Sequence, residues 1–287
     1  MANGLSIHLG LNGVDKKKYG GWDGALAGCE NDARDMAAIA KAKGFTATVL
    51  LTRQATAEAL LDAMADAAKR LKARDILLLT YSGHGGQVPD TNGDEEDAKD
   101  ETWVCYDRQV IDDELYALYA KFREGVRIFI LSDSCHSGTV ARAMYDAIAP
   151  VEERNNLRPA GGFRSKAMPL DDQFRDGHAR GALYADLQQK AGPAETLKVG
   201  ANVLLISGCQ DNQLSSDGDR NGLFTERLLQ VWDGGRFRGG YPRFHREIVA
   251  RMPASQTPNL FLAGKRSRKF ELQTPFTIQA EGAAARR

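Results

Sequence analysis

Long apolar runs are missing from this chain. No stretch approaches the roughly 20 consecutive apolar residues of a membrane-spanning helix, so the sequence predicts no membrane association. Net charge is missing as well. Lys+Arg and Asp+Glu both total 38 in 287 residues, which leaves no global field to recruit nucleic acid or an anionic surface. Cysteine is scarce: Cys29, Cys105, Cys135 and Cys209 show no C-x-x-C metal spacing. Four such thiols fit a reduced, cytoplasmic chain, with Cys105 and Cys209 as core residues. The N-terminus, MANGLSIHLGLNG, lacks the basic lead and the apolar core of a secretory signal. It reads as a first strand with no prodomain before it, so recruitment is expected through another chain or a ligand.

What is present is an alternation of strand and helix patterns. Strands are expected at 6–14, 45–51, 75–83, 102–107, 127–133, 202–208 and 259–264. Helical spacing falls at 24–43, 56–71 (with Thr56 as cap), 112–122, 223–232 and 241–251. Between Ala149 and Gly200 the chain is rich in Pro, Gly, Arg, Asp and Asn, with a weak helical stretch only at 182–191. The expected organisation is one α/β domain in two blocks, 1–148 and 201–275, joined by an exposed linker at 149–200 and ending in a frayed tail at 276–287.

Two segments carry chemistry. YSGHGGQ (81–87) follows the apolar run DILLLT, and the SDSCHSG that ends at 138 follows VRIFI. Apolar runs bounded by Gly and Ser read as buried parallel strands, whose carboxyl ends are where ligands bind in an open α/β sheet. His84 and Cys135 would therefore meet there as a base and a nucleophile. A thiol wants a nearby imidazole or a helix N-terminus, and residues after Gly138 could supply the latter. The Gly85 amide could stabilise an oxyanion. Asp133 precedes Cys135 by two positions and shares its side of the strand. His136, next to the nucleophile, points the other way and reads as structural. His8 and His245 sit in no motif.

At these residues the chain resembles the caspase-like cysteine peptidases, most closely the type I metacaspases and their bacterial relatives. The roughly 50-residue step from His to Cys matches caspases, and the DSCHSG context matches metacaspases. GCENDA (28–33), DTNGDEEDAKDE (90–101), IDDEL (111–115), ISGCQDNQLSSDG (206–218) and NGLFTERLL (221–229) are similar too. The resemblance implies a caspase-like three-layer sandwich around a mostly parallel six-stranded sheet. It implies a His84–Cys135 dyad and an acidic pocket at Cys29, Asp32, Ser82 and Asp133 that accepts Arg or Lys of a protein substrate through charge-assisted hydrogen bonds.

The resemblance also raises calcium, a hard cation that takes oxygen ligands. Asp100, Asp112 and Asp113 match three metacaspase ligands, but the fourth position is Arg142, which replaces a carboxylate with a cation. The run from Asp90 starts like a calcium-binding loop, yet Glu95 stands where its turn needs glycine, so it reads as a solvated acidic surface. No cofactor is needed for the chemistry itself. A cytosolic protease of this kind is expected to be a latent monomer, released by a small molecule or partner protein, as in bacterial stress or antiviral defence. Arg154, Arg158, Arg164, Lys166, Arg175 and Arg180 offer self-cleavage sites. The alternatives are a catalytically idle scaffold or ligand sensor, and a peptide ligase sharing the acyl-enzyme.

Overall fold

The computed structural model describes residues 2–93, 99–135, 164–193, 196–210 and 213–278. Two strands form the centre of the fold because every one of their positions is buried: β3 (Ile76–Ser82) and β7 (Arg127–Asp133). Around them run β1 (Gly4–Gly10), β2 (Thr46–Leu51), β9 (Asn202–Ser207) and β11 (Asn259–Gly264), in the sheet order β11-β9-β7-β3-β1-β2. All neighbours are parallel except β11, which runs antiparallel to β9. The expected six-stranded, mostly parallel sheet is what the chain forms.

Helices cover both faces. On one, α1 (Cys29–Ala42), α5 (Leu223–Trp232) and α6 (Tyr241–Val249) bury Met36, Phe224, Trp232 and Phe244 against Phe129. On the other, α2 (Ala57–Arg70) and α3 (Asp112–Tyr119) place Leu60, Met64 and Leu118 with Leu79 and Ile130. The α2 pattern works as read: Leu60, Met64 and Ala67 share its inner face. The Thr56 hydroxyl caps it, accepting from the Ala59 amide at 3.1 Å.

Four expectations need correction. The stretch at 149–200 is not an exposed, structureless linker where it is described. A short strand, β8 (Arg164–Ser165), leads into buried residues 166–168 and then a 22-residue helix, α4 (Leu170–Ala191). Gly177 and Gly181 dilute the helical signal of α4, and only four of its residues are buried. Helix α1 starts at Cys29 rather than 24, since Asp217 collects the amides of Ala27 and Gly28 ahead of it. A second, antiparallel sheet of β4 (Gly85–Pro89), β5 (Lys99–Val104) and β6 (Gln109–Ile111) surrounds the short strand expected at 102–107. Finally, Phe276, expected in the frayed tail, is fully buried against Phe129 and Trp232. Among the described residues, no helix is long and apolar enough to cross a membrane.

Candidate active site

His84 and Cys135 leave the ends of adjacent strands, β3 and β7, whose last residues Ser82 and Asp133 are register partners. The His84 loop is held from below. Its carbonyl accepts from the Tyr81 hydroxyl at 2.6 Å and from the Val104 amide at 3.0 Å, and Tyr81 stacks flat on Trp103. The ring is buried, 4.9 Å from the Trp22 ring centroid, with Nε2 3.2 Å from the Gly24 carbonyl. An N–H there leaves Nδ1 as the basic nitrogen, and among the described residues Nδ1 has no hydrogen-bond partner. Burial pushes the His84 pKa down to about 4, with the Gly24 carbonyl opposing and Lys166 reinforcing. The ring is neutral at pH 7, as a base must be.

The Cys135 thiol is buried and rests on Ser215, whose carbonyl is 3.4 Å away and whose amide donates to the sulfur. The amides of Cys135 and Gly85 converge on one oxygen, the carbonyl of Lys166, at 3.3 and 2.9 Å. Two N–H groups on one carbonyl have the geometry that an oxyanion hole requires. Gly85 is required for this approach: a Cβ there would run into the Cys135 carbonyl.

Lys166 fills the acidic pocket. Its ammonium lies 3.2 Å from Asp32, 2.9 Å from Asp133 and 2.9 Å from the Ser82 hydroxyl. All four side chains are buried. The acids are held from behind. Asn221 and the Gly222 amide donate to Asp32 at 2.9 and 3.1 Å, while Ser215 and Thr225 donate to Asp133 at 2.6 and 3.1 Å. Burial raises Asp32 to about 7, its pairing with Lys166 opposing. Burial also works against the Lys166 charge, but the carboxylates of Asp133 and Asp32 carry it well above the ordinary lysine value. Cys29, by contrast, turns its thiol to Asp217 at 3.7 Å, and burial holds that thiol protonated.

The backbone around Lys166 is equally ordered. Residues 164 and 165 pair antiparallel with β10 (Ser216–Asp217), and the Lys166 amide donates to the Ser215 carbonyl at 2.9 Å. Beyond it the Met168 amide donates to Gly85 at 2.8 Å. The segment thus lies extended across Cys135, with the Lys166 carbonyl on the Gly85 and Cys135 amides and the Lys166 side chain between Asp32 and Asp133.

The expected calcium ligands behave differently. Asp100 accepts from the Gln188 side-chain amide of α4, Asp113 accepts from Asn92 at 2.8 Å, and Asp112 accepts from the Asp113 amide. Side-chain N–H donors thus face carboxylates that a cation would need. Among the described residues no three His, Cys, Asp or Glu side chains converge on a common point. His136, Arg142, Arg154, Arg158 and the helix expected after Gly138 lie outside the described residues. Arg175 and Arg180 sit in α4, paired with Asp172 and Asp176.

Several residues packed on the expected site escaped the sequence reading. Gly24 and Trp22 contact His84 through a main-chain carbonyl and a ring face, which no motif advertises. Asp217 and Asn221 stand inside quoted motifs, SSDG and NGLF, yet their partners at positions 27–32 are about 190 residues away.

Comparison with known proteins agrees with this geometry. A caspase-domain family model matches residues 14–270. Metacaspase-1 of Mycosarcoma maydis is 33% identical over 243 residues, covering 77% of this chain and 59% of that protein. Metacaspase-1 of Schizosaccharomyces pombe is 31% identical over 236 residues, 71% of this chain and 54% of its own length. The chain thus spans a little over half the length of the curated relatives it matches. Among solved structures, a protein from Geobacter sulfurreducens superposes with a TM-score of 0.87 at 50% identity, covering 97% of this chain and 100% of that one. Caspase-1 from Spodoptera frugiperda shares the fold, with a TM-score of 0.56 at 12% identity over 98% of this chain and 92% of its own.

Proposed function

The chain belongs to the caspase-domain family, and from that premise we propose that it is a cysteine endopeptidase that cuts after lysine or arginine and is kept latent by its own Lys166. The observation that carries the reading is the pose of Lys166. A basic side chain lies between two buried carboxylates while its carbonyl takes both oxyanion-hole amides. A substrate needs the same pose. An acidic side chain in that place would face Asp32 and Asp133 in a desolvated slot.

The chemistry follows from the groups around that carbonyl. With Nε2–H held on Gly24, Nδ1 of His84 accepts the proton from the Cys135 thiol once the sulfur swings away from Ser215. The thiolate then attacks the carbonyl carbon. A C–S bond forms and the carbonyl electron pair moves onto oxygen, where the Gly85 and Cys135 amides receive it. Collapse expels the amine of the following residue, which takes the proton from His84, and leaves an acyl-enzyme. Water, deprotonated by the same imidazole, releases the acid and restores the thiol.

While Lys166 occupies the site, no external peptide can enter. Displacement of the segment, by a partner, a small-molecule signal or a cut within it, opens the enzyme, as a stress or antiviral effector requires. The test is hydrolysis of matched fluorogenic peptides ending in Arg, Lys or Asp, by wild type, Lys166→Gln and Cys135→Ala. Cleavage after Arg and Lys, faster in Lys166→Gln and absent in Cys135→Ala, is the expected result. Turnover that survives Cys135→Ala, or that prefers Asp, overturns the reading.

A further inference from the structure

The segment in the site continues past the bond that the dyad would cut, and its next two residues are as firmly seated as Lys166. Gly85 binds the backbone on both sides of that bond. Its amide donates to the Lys166 carbonyl at 2.9 Å, and its carbonyl accepts from the Met168 amide at 2.8 Å, with Ala167 bridged between. This pair of bonds fixes the register, so the residue two places beyond Lys166 always projects from the same point. Ala167 packs among Cys135, Cys209 and Leu214, where only a small side chain sits beside the nucleophile.

Met168 is fully buried, and its neighbours are Val14, Tyr19 and Val104, with Trp22 packed against them. None of these four belongs to the segment itself. Val14, Tyr19 and Trp22 come from the connection between β1 and α1, and Val104 ends β5. The walls are tied down independently of Met168. Tyr19 gives its hydroxyl to the Cys105 carbonyl at 2.8 Å, the Val14 amide donates to Asp23 at 2.9 Å, and Trp22 meets Tyr19 edge-on. A recess with apolar walls and satisfied polar groups remains when the segment leaves.

Resting on the lysine-or-arginine reading of the site, we infer that this recess is a second specificity pocket, which selects a methionine-like apolar side chain two residues beyond the scissile bond. The preferred substrate class is then a basic residue, a small residue and a long apolar residue in succession, with the cut after the first. Met suits the recess because its unbranched thioether adapts to irregular aromatic walls. A carboxylate there would be buried without a partner. Trp22 also touches the His84 ring, so filling the recess braces the base.

Two measurements test the pocket, and they fail separately from the protease reading. In the first, Lys166→Gln protein is given internally quenched peptides that differ only in that position: Lys-Ala-Met, Lys-Ala-Leu, Lys-Ala-Gly and Lys-Ala-Asp. The Met and Leu peptides are expected to exceed the Gly and Asp peptides in kcat/KM by about tenfold or more. Equal rates overturn the pocket and leave cleavage after lysine intact. Silence on all four counts against the protease reading, and the second measurement then decides the pocket without catalysis.

There, iodoacetamide labelling of Cys135 is followed by peptide mass spectrometry in wild type, Met168→Leu, Met168→Ala and Met168→Asp. Labelling at Cys135 is expected to stay near the wild-type rate in Met168→Leu and to rise about tenfold or more in Met168→Asp, Met168→Ala lying between. Cys29 and Cys105, which the segment's Ala167 does not cover, are buried controls for an intact fold. If Met168→Asp labels these controls too, the comparison rests on Met168→Ala against Met168→Leu. Identical Cys135 rates in those two variants overturn the proposal.

Discussion

Asp32 and Asp133 each spend their carboxylate oxygens on named donors, so the positions of the two acids are fixed by the fold around them. Asp32→Asn removes one of two charges facing a buried cation. Breaking such a pair costs about 3–5 kcal/mol, so kcat/KM toward Arg and Lys peptides should fall on the order of 100-fold or more; steady-state rates with the Lys166→Gln background check it. His84 makes a pH prediction. Its folded pKa, about 4, lies below the ordinary value of 6.5, so between those values the unfolded chain binds a proton that the folded chain refuses. The stabilisation is complete above pH 6.5 and is lost as pH falls to 4, a swing of about 3 kcal/mol. Burial lowers His8 to about 3 as well, extending the loss below pH 4. Urea midpoints should therefore drop steeply from pH 7 to pH 4.5, and less steeply in His84→Gln.

Helix α4 follows the buried segment directly, and its weakness is local. Gly177 and Gly181 lie inside it with open space at their Cβ positions. Gly177→Ala and Gly181→Ala should each stabilise the protein by about 0.5–1 kcal/mol, read as a higher urea midpoint. By holding the segment down they should also slow Cys135 labelling. The same glycines explain what the sequence hid. Strands β3 and β7 were legible because all seven residues of each are buried, and α5 because its apolar spacing is uninterrupted. α4 is mostly polar, and it is helical because Asp172, Asp176, Tyr184 and Gln188 pack inward, a pattern that hydropathy does not register. Strands β4, β6, β8 and β10 are too short for period-two alternation to speak. The ends of β3 and β7 could be read as chemical, whereas the plug could not: Lys166 stood out only as one of six basic residues, and its Asp32 partner lies 134 residues away.

The whole molecule places its acids for two different ends. At Asp32 and Asp133 they meet a cation from their own chain. At Asp100 and Asp113 they meet the amides of Gln188 and Asn92. Calcium should therefore change the rate of the Lys166→Gln enzyme by less than about twofold, against the larger effect expected if the carboxylates gathered around an ion. A chelator titration with the Arg peptide reads this directly, and a calcium requirement would show that α4 gives way to the metal.

The strand order has a consequence for the cut molecule. Lys166 stands between β7 and β9 in the chain, yet those strands are parallel neighbours in the middle of the sheet. Severing the Lys166–Ala167 bond would divide the sheet between two polypeptides without separating them, since β7 and β9 stay zipped along their length. The molecularity of folding would then change. An intact chain refolds at a rate independent of its concentration, whereas the cut protein would reassemble as a second-order reaction between two fragments. Activation would be a one-way passage: the nicked enzyme endures while folded, but once unfolded and diluted it does not return.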